Sequence, residues 1–199
     1  FNRYTRALAD FCNDDLSAFF FDIRKDSLYC DAPGDATRRA YRTVLDVMFH
    51  ALVRYAAPVL VFTAEEVWQT RFPDAPDDVS SVHFLDWPAL PAVDGEDLSA
   101  RWLAVRGLRE RVNEAIEPLR REKVVRSSLE AEVTVPDLPL PAEALAEAFI
   151  VAKVSPGAAI EVARTDYHKC GRCWRLLPEV VEDDALCGRC ASVVGEVAA

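Results

Sequence analysis

Two features that would place this chain at a membrane are missing. No stretch approaches the roughly 20 consecutive apolar residues that a bilayer-spanning helix needs, and no basic segment leads into an apolar core as in a secretory leader. An excess of positive charge is also missing. The 23 Lys and Arg are outnumbered by 33 Asp and Glu, and the net charge of -10 argues against indiscriminate nucleic-acid binding through bulk charge. No pair of residues reads as a nucleophile with its base: His50 lies between Phe49 and Ala51 in a helical pattern, and His83 lies in a connecting segment. An initiating Met is absent too. Phe1, Tyr4, Leu8, Phe11 and Cys12 already recur at helical spacing, as in a piece of a longer protein.

Cysteine is sparse but patterned. Cys170-Gly-Arg-Cys173 and Cys187-Gly-Arg-Cys190 are separated by thirteen residues, a spacing with which four thiolates close a tetrahedron around one Zn²⁺. Gly171 and Gly188 hold the same place in each pair and suit tight knuckles. Four thiolates leave no open coordination position, so this zinc is expected to hold structure and not to activate water. The neighbouring His168 is a weaker rival ligand. The remaining thiols, Cys12 and Cys30, lie in apolar surroundings and read as buried and free, which fits the cytoplasm.

Along the chain, residues 1–23 read as one amphipathic helix and 31–35 as a turn. A second helix is predicted from about Thr37 to Ala57, interrupted at Pro58, and Thr63-Ala-Glu-Glu66 reads as a capping box opening a short helix. Prolines 73, 76, 88 and 91 make residues 72–97 a connecting segment. From Asp97 a third major helix carries Trp102, Val105, Leu108, Val112, Ile116 and Leu119, with Pro118 expected to kink or shorten its end. Ser128–Val135 alternates as a strand, 141–148 is helical, and 149–154 and 159–163 read as short strands. Trp68, Trp87 and Trp102 read as core. No internal repeat appears beyond the two cysteine pairs.

Several segments together resemble one family. Ala57-Pro-Val-Leu-Val-Phe-Thr-Ala-Glu-Glu-Val-Trp68, Phe21-Asp-Ile-Arg-Lys-Asp-Ser-Leu-Tyr29 and Ser81-Val-His-Phe-Leu-Asp-Trp-Pro88 resemble the helical anticodon-binding domain of class I aminoacyl-tRNA synthetases for aliphatic amino acids. Lys123-Val-Val-Arg-Ser-Ser-Leu-Glu-Ala131 resembles the junction segment that follows. Cys170-Gly-Arg-Cys-Trp174 with the second cysteine pair is similar to the C-terminal zinc domain of bacterial isoleucyl-tRNA synthetases. The family's ATP-site motifs, of the His-Ile-Gly-His and Lys-Met-Ser-Lys-Ser type, are absent.

The resemblance implies a mainly α architecture in three parts: a helical anticodon-binding domain with its connecting segment over 1–96, a small α/β junction domain over 97–166, and a zinc-ribbon-like tail with four cysteine ligands over 167–199. It implies a tRNA-binding portion that does not itself activate isoleucine. Its partners would be the isoleucine tRNA and an upstream catalytic body of the same polypeptide, with no membrane. Arg172, Arg175 and Arg189, with Lys169, surround the cysteines and offset the negative charge of a four-thiolate zinc; they are also candidates to hold an anticodon backbone. Trp174 is a candidate for base stacking and equally for packing the zinc unit. Arg120, Arg121, Lys123 and Arg126 lie in the segment 101–126, where eight basic residues face four acidic ones, and are candidates for phosphate contact or a solvated face. A protein-interaction module and a different nucleic-acid-binding zinc module, like the finger that ends one family of DNA-repair glycosylases, are the alternatives.

Overall fold

The computed structural model describes residues 1–92 and 95–198, and helices dominate it. The chain divides into two compact units, Phe1–Asp22 with Pro33–Val93, and Ile23–Ala32 with Asp94–Ala199. Among the described residues no helix is long and apolar enough to cross a membrane.

Three successive helical segments replace the single helix expected over 1–23: α1 (Asn2–Asp10), a wider π-type segment (Phe11–Phe21), and α2 (Asp22–Cys30). Helix α3 (Ala36–Ala56) opens on Asp35, whose carboxylate accepts from the amides of Thr37 at 2.8 Å and Arg38 at 3.1 Å. It stops two residues before Pro58. The reversal is complete by Leu60, whose amide donates to the Ala56 carbonyl, so α4 (Val61–Arg71) starts earlier than its sequence signal. The expected capping box is therefore not formed: Thr63 and Glu66 fall inside the helix, which has no side-chain cap. The neighbouring Glu65 is used instead, accepting from the Ser81 hydroxyl at 2.8 Å and the Val82 amide at 3.0 Å.

The core of this first unit is Val53, Ala57, Ala64, Trp68 and Val82, with Phe49, Phe72 and Leu85 packed on it. The Trp68 indole N–H donates to the Val79 carbonyl at 2.9 Å, which satisfies the buried polar end of the ring. His50 stacks on Phe72 and meets Trp68 edge-on, so it belongs to an aromatic cluster. Trp87 departs from the core reading. It is 61% exposed and touches only the edge of Tyr55 among the described rings, because the irregular segment around Pro88 supplies no element to carry it inward.

In the second unit, α5 (Glu96–Arg121) buries Val105, Leu108, Val112 and Ile116 along one stripe. Pro118 does not end it, since the helix runs on to Arg121. After a 3₁₀ turn at Ser128–Glu130 come β1 (Ala131–Val135), α6 (Ala142–Phe149), β2 (Lys153–Pro156) and β3 (Glu161–Arg164). The sheet order is β2-β1-β3, parallel on one side of β1 (Val133 opposite Val154) and antiparallel on the other (Val133 opposite Val162). A parallel neighbour requires a crossover, and α6 supplies it. Phe149, expected to open a strand, instead ends α6, and Ile150 turns the chain with φ 58°. Ala131, Val133 and Val135 meet the α5 stripe and Leu145, Ala148 and Phe149 of α6 in one core. The tail adds a two-stranded hairpin, β4 (His168–Lys169) with β5 (Leu176–Leu177), and α7 (Gly188–Ala198).

Candidate metal centre and nucleic-acid interface

The β4–β5 hairpin makes the first knuckle. The Cys170 amide donates to the Arg175 carbonyl at 2.9 Å and the Trp174 amide to the Cys170 carbonyl at 3.0 Å, which folds the four residues between them into a tight turn. The second pair lies at the start of α7, where the Gly188 amide donates to the Glu179 carboxylate at 3.1 Å. The sulfurs of Cys170, Cys173, Cys187 and Cys190 come within 4.8 Å of one another, and Cys173 and Cys187 are 3.9 Å apart. Tetrahedral Zn–S bonds of about 2.3 Å place sulfurs about 3.8 Å apart. The donor set fits one structural zinc.

Electrostatics agree. Burial raises the thiols of Cys173 and Cys187. At Cys170 burial also pushes upward, but the amides of Cys187, Cys173 and Arg172 outweigh it and bring the thiol down to about 6. Four thiolates this close coexist only around a cation. The Cys187 amide points at the Cys170 sulfur at 3.3 Å, and the Arg172 guanidinium lies 3.6 Å from the Cys190 sulfur, so both temper the negative charge. Cys30 stands apart: it is buried, and burial followed by Asp26 pushes its thiol up to about 11, as expected of an inert core thiol.

The basic residues expected around the cysteines divide sharply. Arg189 forms a two-pronged pair with Asp26, at 2.7 and 2.9 Å, and reaches Asp31 at 2.8 Å. Arg172 donates to the carbonyls of Cys30 at 2.6 Å and Tyr29 at 3.2 Å, at the end of α2. Both guanidiniums therefore fasten the zinc tail to α2, which is held from another side by Arg24 and Ser27 on Glu147 of α6. Lys169 and Trp174 face solvent. Trp174 is 63% exposed, holds φ at 65°, and has the Lys169 ammonium 5.9 Å from its ring centre. Arg175 is half-buried beside it.

Arg120, Arg121, Lys123 and Arg126 lie at the other candidate place, the end of α5, and all four are exposed. Arg120 and Arg121 share Glu117 at 3.7 and 3.3 Å, contacts that solvent screens. Lys123 occupies the left-handed position of a Schellman ending: its amide donates to the Arg120 carbonyl and that of Val124 to Leu119. The residues missed by sequence reasoning are Asp26, Asp31 and Tyr29. Their partners lie more than a hundred positions away, and no local spacing signals such a pair.

Comparison with known proteins agrees with this geometry. Residues 1–135 match the model of the anticodon-binding domain of tRNA ligase, and residues 168–193 match that of a zinc finger found in FPG and IleRS. The chain belongs to the family of tRNA-ligase anticodon-binding domains, here carrying a zinc-binding tail. More narrowly, it is 59% identical over 98% of its length to the isoleucine–tRNA ligase of Zymomonas mobilis, of which it covers 22%. Enzymes of the same name from Gluconobacter oxydans and Agrobacterium fabrum are 45% and 40% identical over 94% and 92% of the chain. The chain thus spans about a fifth of the length of these curated relatives.

Proposed function

We propose that this chain is the tRNA-reading portion of a cytoplasmic isoleucine–tRNA ligase. In this reading it binds the anticodon stem and loop and so positions the acceptor end for ATP-dependent charging with isoleucine. A catalytic body of the same polypeptide, outside this chain, performs that reaction. The observation that carries the reading is the union of a matched anticodon-binding domain with a four-cysteine knuckle that presents Trp174 to solvent. Phosphate contacts orient a nucleic acid and base contacts choose it. The exposed Arg120, Arg121, Lys123 and Arg126, with Lys169 and Arg175, are suited to phosphate, and Trp174 to a stacked base. Arg172 and Arg189 serve by holding the knuckle against α2. Within the second unit, the part up to residue 166 acts as the junction and 167–199 as the reading tail.

The test is a titration of the zinc-loaded chain with isoleucine tRNA and a non-cognate tRNA at several salt concentrations. A cognate preference of about tenfold, near 1.4 kcal/mol, is expected. Equal and steeply salt-dependent binding would reduce the role of the chain to phosphate contact. Absence of binding to either tRNA would put a protein-interaction role in its place.

A further inference from the structure

Arg172 links the two backbone segments that carry exposed rings. Its backbone lies two residues before Trp174, and its guanidinium holds the carbonyl of Tyr29, whose side chain is 72% exposed at the end of α2. Helix α2 turns Ile23, Ser27 and Cys30 inward and leaves Tyr29 exposed on the opposite face. Tyr29 stands on that face one turn beyond the exposed Lys25. Asp26 and Asp31, two of the acidic groups nearby, are both engaged by Arg189. On the knuckle side, Trp174 is fixed in the left-handed region that few large residues adopt, beside the Lys169 ammonium.

We infer that Tyr29 is a second base-stacking residue, forming with Trp174 a two-ring seat for unstacked nucleotides of a single-stranded RNA loop. The inference rests on the anticodon-reading role proposed above and assigns part of it to a residue of α2. Single-stranded RNA is held by bases laid on aromatic faces with cations along the backbone, and the two rings with Lys169 supply both. Arg172 is then a positioning residue. By clamping the Tyr29 carbonyl while approaching the Cys190 sulfur, it makes the place of one ring depend on the knuckle that carries the other.

The test compares the zinc-loaded 199-residue chain with Tyr29→Ala, Tyr29→Phe and Trp174→Ala, titrated with an isoleucine anticodon stem–loop RNA. Zinc content and circular dichroism serve as controls for folding. Tyr29→Ala is expected to weaken binding by roughly 5- to 150-fold, the range for one stacked base. It should leave zinc and helicity unchanged, and Tyr29→Phe should bind like the parent. Stem–loop binding should also quench tryptophan fluorescence in the parent and not in Trp174→Ala. Undiminished affinity in Tyr29→Ala, with a loss in Trp174→Ala, would overturn the role of Tyr29 and leave the anticodon-reading function standing. Failure of the parent to bind the RNA would overturn both.

Discussion

A Cβ placed on Gly171 would sit 2.4 Å from the carbonyl oxygen of Asp184, whereas one placed on Gly188 would meet nothing nearer than 3.8 Å. The two glycines look equivalent in the repeated cysteine pairs, yet only the first is demanded by a close approach. The obstacle is backbone, so no side chain can swing away. Gly171→Ala is therefore expected to destabilise the zinc tail by about 1–3 kcal/mol, read as weaker zinc retention against a chelator. Gly188→Ala at the first position of α7 should be neutral or slightly stabilising, by up to about 1 kcal/mol. Equal effects of the two variants would contradict this geometry. The ligand set was legible from spacing alone, because a knuckle is a local object. What each glycine does was not, since Asp184 reaches Gly171 from outside the motif.

At the scale of elements, the ending of α5 sets stability against charge. Lys123 sits at φ 60° in the position that a Schellman ending ordinarily gives to glycine, and the left-handed conformation costs an L-residue about 1–2 kcal/mol. Lys123→Gly is expected to raise the thermal midpoint. If the end of α5 meets phosphate as proposed, the same change should lower the slope of log K against log salt by roughly 0.7–0.9 for one lost contact. A higher midpoint with an unchanged slope would remove Lys123 from the RNA interface. Helices α3 and α5 and strand β1 were legible because apolar period and burial coincide: Val105, Leu108, Val112 and Ile116 are one stripe in sequence and one wall of the core. The start of α4 was not. Thr63 and Glu66 satisfy the local capping rule, but the reversal at Pro58 completes by Leu60 and starts the helix first. Local preference yields when the preceding turn already supplies the geometry.

For the whole molecule, each compact unit has its own core, one around Trp68 and the other around Phe149 and Ile116, while the zinc tail has little besides its cysteines, Val180 and Leu177. Zinc removal is therefore expected to abolish one calorimetric transition and leave the others in place, with the lost helicity confined to α7. Loss of all transitions together would show that the metal supports both units. The mainly α architecture and the zinc tail could be read from the chain in order. The clasp between tail and α2 could not, because Arg189 meets Asp26 and Asp31 across separations of 163 and 158 residues. That separation has a consequence in time. Synthesis proceeds at roughly 5–20 residues per second, so α2 leaves the ribosome on the order of ten seconds before the arginines that clasp it. Throughout that interval Asp26 and Asp31 lack the guanidinium that later spans them, and the clasp closes only once residue 189 has been made.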